Sequence, residues 1–179
     1  MQDRQYTTPA GKSNSALVCV VSLLLVAGCA PAPQEAMRAG GDDLGWISAE
    51  TLLSPRYPAF ASVYEEAVVA PEFIELITQV EQGAEFLVFL GTWCGDSERE
   101  VPRFLRIVQD AGIGEDRVRL YNLDRSKTSP DGLTARWGIE RVPTFIILRD
   151  GREVGRIVER PRSTLEGDLL TALAASAGR

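Results

Sequence analysis

Five large apolar residues in succession, Phe86-Leu87-Val88-Phe89-Leu90, stand between Glu85 and Gly91. Such a segment has no polar face to turn toward water. It fits a strand buried on both sides, within a sheet covered by helices front and back. The flanking patterns agree. Pro71 suits the first turn of a helix, and Phe73, Ile74, Ile77 and Val80 keep helical spacing. Val101, Phe104, Leu105 and Val108 place a second helix after the apolar run. Val118 to Leu123 reads as a strand, and Ser129-Pro130 as the cap and opening of a short helix through Trp137. Thr144 to Leu148 is a strand, Asp150-Gly151 a hairpin turn, and Glu153 to Val158 its partner. Ser163 and Glu166 have capping-box spacing, ahead of a last helix with Leu165, Leu169, Leu173 and Ala177 on one face. The order α-β-α-β-α-β-β-α predicts an α/β fold: a mixed β-sheet flanked by helices on both faces.

Composition excludes several chemistries. The chain has no histidine, which removes Ser-His-Asp triads and Cys-His proteases. It also argues against most zinc and copper sites, so no metal and no cofactor is expected. The three cysteines, Cys19, Cys29 and Cys94, fit neither a disulfide framework nor a metal cluster. A formal net charge of −6 gives no nucleic-acid footprint.

The N-terminal region reads as a leader. Arg4 and Lys12 precede an apolar run from Ala16 to Ala30 that is short of the ~20 residues a spanning helix needs. It matches the apolar region of a secretory signal peptide. The run closes on Leu25-Val26-Ala27-Gly28-Cys29, which resembles a lipobox. That resemblance implies a signal peptide over residues 1–28 and lipidation of Cys29, with acyl chains holding the protein on a bacterial membrane facing the periplasm. Ala30, where a retained lipoprotein would carry Asp, favours the outer membrane. Residues 29–45, rich in Pro, Gly and Ala, read as a flexible tether. Residues 46–70 are too apolar for a linker and are expected to pack on the domain as a partly helical extension. Residues 71–179 form the domain itself.

Within that domain, Trp93-Cys94-Gly95-Asp96-Ser97 opens a helix directly after the buried strand. Pro102 follows eight residues after Cys94, Asn122-Leu123-Asp124 ends the next strand, and Val142-Pro143-Thr144 precedes the hairpin Arg149-Asp150-Gly151. Together these resemble the thioredoxin family, over roughly residues 71–177. The resemblance implies Cys94 as nucleophile, a cis peptide before Pro143, and a binding surface formed by Trp93, Gly95, Asp96, Val142, Pro143 and Thr144. It also implies that Trp93 partly covers the sulfur, and that Pro143 with Thr144 offers backbone to an extended partner segment. The physics is compatible: a cysteine at a helix N-terminus meets unpaired N–H groups and the positive end of the macrodipole, which favour thiolate.

The sequence also departs from the family. Ser97 stands where a second cysteine would resolve a mixed disulfide. It is left to stabilise the thiolate, and release falls to an external thiol, such as glutathione, or to the partner's own cysteine. Val88 and Leu120 occupy positions where thioredoxins carry a buried acid and a lysine. Asp96, Glu98 and Glu100 place negative charge near Cys94, offset in part by Arg99 and Arg103. Trp46 and Trp137 are expected in the core, and Pro102 as a helix kink. Two functional readings stay open. One is monothiol thiol–disulfide exchange, of reductase or isomerase type, on protein or peptide thiols of exported proteins. The other is a non-enzymatic module that holds a protein or peptide in the same groove. A copper-chaperone variant lacks the paired cysteines it would need.

Overall fold

A computed structural model describes residues 43–175. The signal-peptide, lipidation and most of the tether readings, with Cys19, Cys29 and Ala177, lie outside those residues. Eleven elements follow one another: β1 (Gly45–Ile47), α1 (Ala49–Leu52), α2 (Pro58–Glu66), α3 (Pro71–Val80), β2 (Ala84–Leu90), α4 (Gly95–Asp110), β3 (Val118–Asn122), α5 (Leu133–Trp137), β4 (Thr144–Arg149), β5 (Arg152–Val158) and α6 (Leu165–Ala174). The sheet runs β1-β3-β2-β4-β5. β2 lies parallel to β3 and antiparallel to β4, so the sheet is mixed.

The alternation of side chains along a strand accounts for the apolar run. Phe86, Val88 and Leu90 join one buried cluster, on the face covered by α3, α4 and α6. Leu87 and Phe89 join a second cluster on the opposite face, against which Leu133 and Trp137 of α5 pack. Phe145 and Ile147 of β4 join the first cluster, and Ile146 and Leu148 the second. Phe104 packs between Phe86 and Phe145, with ring centroids 5.3 and 5.2 Å away. Pro102 sits inside α4 and is buried. The hairpin turn is made by Asp150 and Gly151, both at positive φ, as a two-residue turn of the favoured twist requires.

Four expectations change. The segment before α1 supplies a fifth strand: β1 pairs antiparallel with β3, Trp46 opposite Tyr121. The last residues of the expected tether pack on the domain: Asp43 accepts the Tyr57 hydroxyl at 2.8 Å and ion-pairs Arg56 at 2.9 Å. The short helix begins at Leu133, not Ser129; Ser129 instead trades hydrogen bonds with Thr134, and the Asp131 carboxylate accepts the Leu133 N–H. The final helix is capped by Thr164, whose hydroxyl accepts the Gly167 N–H at 3.0 Å, one residue beyond the expected Ser163. Trp46 and Trp137 are half-buried rather than core. Trp46 meets Tyr121 edge-on at 4.9 Å, with Arg119 over its ring at 4.1 Å.

Candidate active site

Cys94 is the N-cap of the sixteen-residue helix α4, with extended backbone (φ −103°, ψ 118°), and its carbonyl accepts the Glu98 N–H at 2.9 Å. Its side chain is half-buried and makes no capping bond. The Sγ–H instead donates to the Val142 carbonyl at 3.3 Å. Cys94 and the loop before β4 thus meet directly, although they stand forty-eight positions apart in sequence. The Val142–Pro143 peptide is cis.

The backbone offered beside the sulfur is that of Val142. The expectation that Pro143 and Thr144 present it needs correction. The Pro143 carbonyl already accepts the Glu159 N–H at 2.7 Å, and Thr144 sits in register between Phe89 and Val158. All three residues of the loop are buried. Gly95 is exposed on the first turn of α4.

Ser97 is fully buried, and its Oγ accepts the Gly91 N–H at 3.2 Å. Its hydrogen bond is spent on holding the strand end, not on the sulfur. Trp93 is likewise committed to the strand end. Its Nε1–H donates to the Leu123 carbonyl at 2.8 Å, and its ring lies over Gly91, where a Cβ would be only 2.8 Å from the indole. Glycine at position 91 is therefore the space the indole occupies.

Asn122 joins three segments at this end of the sheet. Its Oδ1 accepts the Thr92 N–H and its Nδ2 donates to the Asp43 carbonyl, each at 3.1 Å. Val88 and Leu120 are buried and directly opposite each other in register, so the strand positions behind the site are dry and apolar.

Two acids near the start of α4, Asp96 and Glu100, are paired. Asp96 accepts from Arg99 at 2.8 Å and from Arg160 at 3.2 Å. Partial burial opposes ionisation of Asp96, but those hydrogen bonds and charges outweigh it and hold the carboxyl below its ordinary 3.8. A carboxylate whose folded-state pKa is depressed contributes stability above its unfolded pKa and loses it as pH falls through the folded value. Asp96→Asn is therefore expected to weaken resistance to urea at neutral pH and to leave it unchanged at an acid pH below the folded pKa, where wild-type Asp96 is itself protonated. Equal destabilisation at both pH values would show that the carboxylate charge is irrelevant.

Glu100 is 3 % exposed, which its helical position alone did not reveal. Arg99 donates to its Oε1 at 2.8 Å, and Arg103 lies 3.5 Å from its Oε2 and 3.4 Å from Glu166 of α6. Arg125 and Arg160 also escaped the sequence reading. Arg125 lies over the Trp93 ring at 4.7 Å, and Arg160 reaches Asp96 from beyond β5. Tyr57, brought in by α2's preceding turn, is raised above its ordinary 10.0 by burial and then by the Asp43 carboxylate that accepts its hydroxyl.

Comparison with known proteins bears on this arrangement. A family model described as thioredoxin matches residues 56–172. A TPR repeat-containing thioredoxin of Arabidopsis thaliana is 32% identical over 80 residues, covering 45% of this chain and 20% of that protein. A thioredoxin-like protein of Acanthamoeba polyphaga mimivirus is 24% identical over 106 residues, covering 59% of this chain and 74% of its own. A solved Pseudomonas aeruginosa protein of unknown function shares the fold, with TM-score 0.54 and 18% identity over 75% of this chain and 93% of its own. The chain thus spans a fifth of the first of these relatives and three quarters of the second. The matched model covers most of the ordered domain, and the chain belongs to the thioredoxin family.

Proposed function

We propose that this domain carries out monothiol thiol–disulfide exchange on protein or peptide partners, with Cys94 as the nucleophile. The observation that carries this reading is the junction of Cys94 Sγ with the Val142 carbonyl at 3.3 Å. It puts a half-buried thiol at a helix N-terminus and beside a strand-entry loop, where a partner's disulfide can be held while it is attacked.

The chemistry needs no cofactor. The Cys94 thiolate displaces one sulfur of a partner disulfide; a Cys94–partner S–S bond forms, the old S–S bond breaks, and the displaced sulfur leaves as thiolate and takes a proton from solvent. Ser97 cannot supply the second attack. If the partner's own free thiolate attacks the mixed disulfide, Cys94 is regenerated and the partner's disulfides are rearranged with no net oxidation. If external thiols do so, two of them become one disulfide and the partner is reduced by two electrons. An exported location supports this reading, because disulfides persist outside the cytosol. So does the lipobox-like Val26-Ala27-Gly28-Cys29, which would moor the mature chain to a membrane.

Trapping tests the proposal. Cells expressing the full-length protein are quenched with acid and alkylated, and covalent partners are sought on non-reducing gels. Mixed disulfides should accumulate and should vanish in Cys94→Ala. Partners that stay bound, non-covalently, after that substitution would favour the binding-module reading instead.

A further inference from the structure

We propose that the cavity beside Trp93 is a subsite for a carboxylate carried next to the sulfur that Cys94 attacks, with Arg125 as the group that receives it. This rests on the exchange reading above and specifies the chemistry of the partner. The cavity holds about 430 Å³, and Leu44, Arg56 and Tyr57 of the N-terminal segment meet Thr92, Trp93 and Arg125 around it. Thr92 and Trp93 immediately precede Cys94, so part of the cavity wall is the chain that leads into the cysteine.

Arg125 is prepared for an anion. Its guanidinium carbon sits 4.7 Å from the Trp93 ring centroid, and Trp93 is pinned by its bond to Leu123. The cation–π contact holds the guanidinium beside the ring, and a guanidinium so held can still pair two oxygens of a carboxylate. Among the described residues no carboxylate lies within ion-pair range of Arg125. Asp124 also borders the cavity, but its Oδ1 accepts the Ser126 N–H at 2.9 Å and the Ser126 hydroxyl at 2.5 Å. Arg56 is the second cation of the cavity wall; it lies over Tyr57 at 5.8 Å and is ion-paired with Asp43. Its charge is matched by Asp43, so Arg125 is the cation that supplies the bonds. The whole chain carries −6, so an acidic partner is repelled in general and attracted here. Under the exchange reading Ser97 makes a second, incoming thiol obligatory for release, and the carboxylate has two sources: acidic residues beside a partner protein's cysteines, or a small thiol such as glutathione.

The test uses the full-length chain with Cys19→Ser and Cys29→Ser, leaving Cys94 as its one thiol. Exchange rates are measured at low salt against four probes: a peptide disulfide flanked by Asp and Glu, its Asn and Gln counterpart, glutathione disulfide, and its ethyl ester. The carboxylate form of at least one pair should react about three- to tenfold faster. Arg125→Ala should erase that preference while leaving the uncharged form within about twofold, and Arg125→Lys should restore part of it. Preference within the peptide pair identifies the partner protein as the source; preference within the glutathione pair identifies a small thiol. Equal rates within both pairs, or a preference that survives Arg125→Ala, overturn the subsite and leave the exchange reading intact. Failure of Cys94 to react with any probe overturns the exchange reading instead. Binding of S-methylglutathione and of the reduced acidic peptide to Cys94→Ser, followed by tryptophan fluorescence, then decides the subsite alone. Binding weakened by Arg125→Ala supports it, and no binding of either overturns it.

Discussion

Under the proposed monothiol exchange, replacing Ser97 by cysteine is expected to change the domain from one that waits for an incoming thiol into one that completes the exchange alone. Ser97 lies one helical turn after Cys94, fully buried, with its Oγ held by the Gly91 N–H. Cysteine is close to serine in size, so α4 and the end of β2 should keep their course. A thiol so near the mixed disulfide acts at a high effective concentration, and release of a trapped partner should accelerate by at least about a hundredfold over millimolar external thiol. The measurement is the decay of a purified mixed disulfide between Cys94 and a model peptide, followed by mass, with no added thiol. Decay in Ser97→Cys and persistence in wild type are the expected pair. Persistence in both would mean that the buried position 97 cannot reach the sulfur, and the monothiol mechanism would have to rest on something other than the missing cysteine.

The second large effect concerns the segment, residues 46–70, that the sequence reading sets before the domain. Phe60→Ala is expected to cost about 3–5 kcal/mol, as truncation of a fully buried phenylalanine does. Phe60 of α2 is 0% exposed, belongs to the same buried cluster as Leu52, Val101 and Phe104, and meets Tyr57 edge-on at 6.3 Å. A loss of that size is a large share of the 5–15 kcal/mol available to a domain of this kind. Urea denaturation of Phe60→Ala beside Val68→Ala makes the comparison, since Val68 is 92% exposed and should cost almost nothing. A small effect at Phe60 would show that residues 46–70 are an accessory and not part of the core.

The parts of the fold that the sequence displays are those in which local pattern and burial agree. Phe86 to Leu90 reads as a two-sided strand because each face has its own cluster, and the α4 stripe from Val101 to Val108 reads as a helix because all four residues are buried against one face. β1 is hidden for the opposite reason. Gly45-Trp46-Ile47 has no strand pattern of its own, and its pairing is provided by β3, more than seventy residues away. The cap of α6 moved from Ser163 to Thr164 because either hydroxyl can serve. Here Asp168 accepts the Arg162 N–H at 2.7 Å, which sets the entry of the chain. At the site, Trp93, Cys94 and Pro143 stand out because their chemistry is local to a short motif. Arg125, Arg160 and Glu100 do not, since a charged residue on a polar stretch looks the same whether it is solvated or clasped. What distinguishes Arg160 is Asp96, sixty-four residues away, and what distinguishes Glu100 is burial against helices.

The double bond-making of Asn122 carries a consequence for how the protein would work if the proposed lipid on Cys29 moored it. By holding the Asp43 carbonyl and the Thr92 N–H together, it makes the polypeptide enter the domain at the rim that bears the nucleophile. Fourteen residues separate Cys29 from Asp43, and that length of chain reaches about 50 Å at full stretch. A lipid on Cys29 would then act as a short leash fastened beside the reactive sulfur. The domain could tumble, but its working face would stay within that radius of the bilayer. Its partners would be drawn from polypeptides emerging at or resting on the membrane surface rather than from the surrounding fluid.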